Sequence, residues 1–214
     1  GRVKCWGEVS GPDNIGDDPN EMGDALPFED FGTHEPVVSI AAGWDSHCAL
    51  FSGQRVKGWG NVEDHNQFFR VDREVDVKSL SGGHHHYCAL LEDGRVKCWG
   101  SNNNGEQGLG SGDKQKPPLE PNQTLMAADL GEGILAEKLF TGNSITCIIA
   151  DLGKVKCWGN NSYGQAGIGT ERRSIGLRQG DMGDRLPFVV LGEGASAISL
   201  ALGSSHACAV LTDG

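Results

Sequence analysis

Apolar residues in this chain come in short runs. The stretches "VVSIAAG" (37–43), "ILAEKLF" (134–140) and "AISLALG" (197–203) are each about as long as one strand. Glycine, Asp or Asn bounds the runs, which is a strand signature. In "CALLEDGRVKCW" (88–99) two such runs flank an Asp-Gly pair, which predicts a hairpin. Segment 134–140 has a helical composition. It nevertheless occupies the place that 37–43 and 197–203 hold in their own neighbourhoods, so we read it as a strand. The pattern predicts an all-β chain.

The runs repeat. "VKCWG" or its variant "VKGWG" occurs four times, with Trp6, Trp59, Trp99 and Trp158 separated by 53, 40 and 59 residues. A second phrase precedes each later copy or closes the series: "AGWDSHCAL" (42–50), "GGHHHYCAL" (82–90), "TGNSITCII" (141–149) and "LGSSHACAV" (202–210). In all four, glycine stands five residues before cysteine. A third phrase, "SNNNGEQGLGSG" or "NNSYGQAGIGT", follows Trp99 and Trp158. Several short strands per period of about 50 residues, without crossover helices, predict a β-propeller or a related array. The approximate units are 1–53, 54–94, 95–153 and 154–214 of a single repeat domain, incomplete at both ends.

Composition sharpens this picture. Glycine makes up 33 of 214 residues, roughly twice the usual ~7%, and recurs at fixed places, as turns between many short strands require. With 29 acidic against 18 basic residues the net charge is −11, which disfavours a nucleic-acid surface. No apolar run approaches the ~18 residues that suggest a membrane helix. Because the chain starts inside a repeated phrase, it reads as an excerpt of something longer.

Here the phrases resemble a known family. "GSSHACAVLTDG", "GRVKCWG" and "NSYGQAGIG" are similar to the regulator-of-chromosome-condensation repeat, with its His-Thr-x-Ala-Leu, Trp-Gly and Asn-x-x-Gly-Gln-Leu-Gly phrases. The resemblance covers nearly the whole chain as four units. It implies a β-propeller, typically seven-bladed, of which this chain supplies about four blades. It also implies a structural, hydrogen-bonding role for His86 and His206, two residues before their cysteines.

The cysteines have a spacing rule. Cys88 and Cys98, like Cys147 and Cys157, are ten residues apart, centred on a turn. In an antiparallel hairpin such residues face each other at about 4.5–5.5 Å between Cα atoms, within the usual disulfide range. We therefore expect two disulfides, each contributing about 2–3 kcal/mol. Cys5 and Cys208 would need partners outside positions 1–214, and Cys48 faces Gly58. Cys48 is thus expected to be a free, buried thiol, in the least regular of the blades. Tryptophan follows each third-strand position and points to the opposite face. One face of a blade then carries the cystine with Leu90 and Val96, and the other carries tryptophan for the adjacent blade.

Candidate chemistry is sparse. The segment 11–31 has seven acids and no lysine or arginine, and its later part recurs as "GDMGDRLPFVVLG" (180–192). It reads as a solvated loop pinned by its "LPF" anchor, with calcium or partner binding as the functional alternative. "HHH" (84–86) could bind a transition metal. "GWDSH" (43–47) is similar to a phrase of a light-sensing family member, but occurs once and has Asp45 in the arginine place. No catalytic constellation or cofactor motif assembles. The expected function is a non-enzymatic, disulfide-stapled propeller that binds a protein partner in an extracellular or cell-surface setting. The alternative, implied by the resemblance, is a cytoplasmic guanine-nucleotide exchange factor for a small GTPase.

Overall fold

The structure is a computed structural model, and it describes residues 1–7, 15–60, 67–115 and 123–212. Strands β1 (Val37–Ala42), β2 (Ser46–Phe51) and β3 (Val56–Gly60) form one sheet, and β4 (Val77–Gly82), β5 (His86–Leu91) and β6 (Val96–Gly100) a second. A third contains β7 (Ala136–Thr141), β8 (Ile145–Ala150), β9 (Val155–Asn160) and β10 (Ser174–Ile175). A fourth contains β11 (Ala197–Leu202) and β12 (Ala207–Leu211). All pairs are antiparallel and sequential, and β1, β4, β7 and β11 pack side by side as the first strands of their sheets. This is the arrangement of propeller blades around an axis.

The second and third strands make the predicted hairpin. Cys88 pairs with Cys98 and Cys147 with Cys157, while Cys48 pairs with Gly58 in the same register. The turn after β5 is a three-residue loop rather than a two-residue one. Leu91 and Arg95 are hydrogen-bonded across it at 2.9 Å, and Gly94 closes it at φ 82°. A left-handed third loop residue is what such a loop requires. The blade with Gly58 was expected to be the least regular. Its strands instead pair residue for residue like those of the next blade, including the same bulge near the start of the first strand. Hydrogen bonding along the hairpin sets this register, and the loss of one cysteine leaves it unchanged.

Packing between blades follows the two faces. Leu90, Val96 and the sulfurs of Cys88 and Cys98 belong to a core shared with Ile145, Ile148 and Trp158 of the following blade. Tyr87, Ala89, Leu91 and Trp99, on the other face, pack with Cys48, Leu50 and Val56 of the preceding blade. The recurrent glycine before each second strand also has a cause. A Cβ on Gly83 would lie 2.6 Å from the carbonyl oxygen of Gly142, and one on Gly142 would lie 2.8 Å from that of Gly203. The blades approach backbone to backbone there, and only glycine leaves room.

Candidate functional site

Each second strand begins at a tight turn closed by a backbone bond: Gly43 to Ser46 (2.7 Å), Gly83 to His86 (2.8 Å), Gly142 to Ile145 (2.8 Å) and Gly203 to His206 (2.9 Å). These turns line one rim around the axis. Backbone bonds link them blade to blade, since Trp44 N–H donates to His84 O (3.1 Å) and His84 N–H to Asn143 O (2.8 Å). Side chains continue the row: the Trp44 ring lies on His84 at 4.7 Å between centroids, and Asn143 Nδ2 donates to Ser204 Oγ at 3.0 Å. His84 meets His85 edge to face at 4.0 Å, and His85 Nδ1 is 3.6 Å from Asp45 Oδ1. Trp44 is 73% exposed, so one ring face is held and the other is presented to solvent. Burial, and then the neighbouring His85, pull the pKa of His84 below the ordinary histidine value, with Asp45 opposing.

The three consecutive histidines do not converge on one point. His84 and His85 lie on the rim, while His86 turns inward, fully buried, with Nε2 3.0 Å from Thr146 Oγ1 of the next blade. Burial, reinforced by His84 and His85, lowers its pKa to about 3, so its ring is neutral at physiological pH. His206 holds the same turn position in the fourth sheet, with its ring against Gly203.

The tryptophans occupy one position with graded burial. Trp99 and Trp158 are fully buried, and Trp158 Nε1 donates to Glu106 O of the preceding blade at 2.9 Å. Trp59 packs edge to face on Phe31 at 5.0 Å and lies over His47 at 5.2 Å. Trp6 is 64% exposed. The structure joins Cys88 to Cys98 and Cys147 to Cys157, with 4.1 Å between Cα atoms in each pair. That is closer than anticipated, and both are non-hydrogen-bonded pairs, the nearer kind in an antiparallel ladder. Cys5, Cys48 and Cys208 are free, and Cys48 is buried.

In the acidic segment, residues 11–14 lie outside the described residues. Beyond them, Asp17, Asp18 and Glu21 gather their carboxylates within 4.8 Å of one another at the surface. Glu21 Oε2 accepts backbone bonds from Gly16 (2.7 Å) and Asp18 (3.1 Å), which lower its pKa. Of the "LPF" anchor only the leucines are buried, Leu26 and Leu186, whereas Phe28 is exposed.

Sequence reasoning missed two features. The lysine two residues before each tryptophan has a recurrent role. Lys97 Nζ pairs with Asp72 at 2.8 Å, and Lys156 Nζ donates to the carbonyls of Leu130 (2.6 Å) and Gly183 (2.9 Å). Lys57 reaches Phe31 O at 3.2 Å and Lys4 reaches Gly23 O at 2.7 Å. Burial alone would raise the pKa of Asp72, but hydrogen bonds from Lys97, Glu74 N–H and Val75 N–H outweigh it and hold the carboxyl well below its ordinary range. The signal was present, since lysine occurs in every copy of the phrase. The second feature is Trp44 as an anchored, exposed ring on the rim.

Antiparallel sheets of two to four strands, packed through paired faces and with their turns along one rim, define part of a β-propeller. Residues 77–106 and 137–165 match the family described as "Regulator of chromosome condensation (RCC1) repeat". Among solved structures, Prp20p from Saccharomyces cerevisiae is similar with a TM-score of 0.61 and 21% identity, over 84% of this chain and 42% of that one. Yeast RCC1 (Prp20) bound to Kap60 gives 0.59 and 21%, over 85% and 41%. Human WBSCR16 gives 0.62 and 18%, over 99% and 53%. These likenesses establish the fold, and the chain spans about half or less of each of those proteins. Among the described residues no helix is long and apolar enough to cross a membrane.

Proposed function

We propose that this chain is a protein-interaction propeller, stapled by disulfides, that works outside the cytoplasm and engages its partner through the rim around Trp44. The observation that carries this reading is the Trp44 ring, 73% exposed yet held by a tilted contact with the His84 ring and by its own backbone bond. A rigid exposed tryptophan is the residue type most often dominant in protein interfaces. Two cystines in one domain support the oxidising compartment.

The test has two arms. Non-reducing peptide mass spectrometry on protein from its natural source should find Cys88–Cys98 and Cys147–Cys157 linked; free thiols at all four would reject the extracytoplasmic setting. Photo-crosslinking from position 45, with and without Trp44→Ala, should lose its protein adducts in the variant, as a cost of about 2 kcal/mol or more for an interface tryptophan implies. Unchanged adducts would remove the rim from the proposal.

One observation favours a second reading. The similar yeast protein Prp20p was described together with its binding to Gsp1p and histones. By that analogy this chain would belong to a regulator of a small GTPase. Its net charge of −11 does not favour binding to nucleic acid itself. Accelerated release of labelled GDP from a panel of small GTPases would establish the second reading over the first.

A further inference from the structure

Two asparagines stand in the acceptor pattern for N-linked sugar, Asn-x-Ser/Thr with x other than proline: Asn122-Gln123-Thr124 and Asn160-Asn161-Ser162. Asn122 lies outside the described residues, so only the second can be judged by geometry. Asn160 ends β9 on the same rim as Trp44, its N–H bonded to Ser144 O of the neighbouring turn at 2.7 Å. Its side chain is half-buried. Oδ1 accepts from Ser162 N–H at 2.9 Å, whereas Nδ2 has no hydrogen-bond partner among the described residues. The adjacent Asn161 differs: it is buried, and its Nδ2 donates to Thr170 O (3.1 Å) and Arg172 O (2.8 Å). Of the two neighbouring amides, the one in the acceptor pattern is therefore the one whose nitrogen has no such partner. At the same place after tryptophan-glycine the other copies of the phrase have Glu8, Asn61 and Ser101, and none of these stands in the acceptor pattern.

We propose that Asn160 is an N-glycosylation site, resting on the extracytoplasmic reading above. The co-substrate is an oligosaccharide carried on a polyprenyl diphosphate. Asn160 Nδ2 forms a bond to the sugar's anomeric carbon while the bond from that carbon to the diphosphate oxygen breaks. The amide loses one proton to a base, and the lipid diphosphate leaves with the bonding pair. No oxidant or reductant is involved. A sugar there stands beside Ser144, over the third blade's part of the rim, and leaves the Trp44 part open. It would orient a partner toward the first and second blades.

The experiment expresses the chain behind a cleavable secretion signal in a glycosylating eukaryotic host, with Asn122→Gln to isolate the site. Glycopeptide mass spectrometry should find most chains carrying sugar at Asn160, and enzymatic deglycosylation should leave Asp there. Ser162→Ala, which keeps the asparagine, should abolish the modification, and Ser162→Thr should retain or raise it. The same digestion is applied to chains retained inside the secretory pathway, so poor folding does not mask the result. An unmodified Asn160 in chains whose Cys88–Cys98 staple has formed would overturn the proposal while leaving the extracytoplasmic reading intact. Free thiols in the natural protein would remove the reading itself, whatever the host attaches.

Discussion

His86 sits neutral between two blades, with its pKa near 3 against about 6.5 in an unfolded chain. A lowered histidine favours folding fully above the unfolded value, where neither state binds the proton. As pH falls from about 6.5 toward 3, the unfolded chain takes the proton first, and stability drops by up to about 1.4 kcal/mol per pH unit. His47 and His84 are lowered too, mainly by burial, and act in the same direction. Thermal unfolding across this range should give a flatter profile for His86→Gln than for the unaltered chain; parallel profiles would contradict the assignment. Cys48 makes a second residue-scale case. Burial pushes its thiol pKa up, so it is a poor nucleophile, yet it faces Gly58 in the register that joins Cys88 to Cys98. Gly58→Cys should close a third staple and add about 2–3 kcal/mol, seen as a higher melting temperature that reductant abolishes. An unpaired pair of thiols in that variant would show that the first blade's hairpin differs from the others.

At the scale of elements, the hairpin was legible because its determinants are local. A ten-residue spacing, a turn and strand alternation fix which residues face each other, and the same arithmetic sorts Trp99 and Cys98 onto opposite faces. Lysine partners were not legible, because Leu130, Gly183 and Phe31 arrive on long loops whose paths no short-range pattern specifies. The same limit hid the rim, since Trp44 meets His84 only when two blades stack. That stacking depends on bare backbone at the turns. Gly142→Ala would place a methyl group 2.8 Å from Gly203 O and 2.9 Å from Leu202 Cβ. Overpacking of this kind typically costs about 1–3 kcal/mol. Denaturant unfolding should show that loss, and a neutral result would mean the blades can part slightly without penalty.

Across the whole molecule, protection is uneven. Strands β5, β6 and β8 are buried at every residue, and β9 at all but its last, whereas β12 has three exposed residues of five. Amide hydrogen exchange should therefore be slowest in the second and third blades and fastest in β11 and β12, since opening follows local burial. Uniform exchange would instead indicate that the blades open together. The position of the sulfurs adds a constraint in time. Cys88 and Cys98 are at most 1% exposed, and Cys147 and Cys157 at most 3%. Once the next blade has docked, oxidants and thiol exchangers have little access to them. Oxidation is easiest while each hairpin is still bare, so docking of the following blade sets a deadline for each bond.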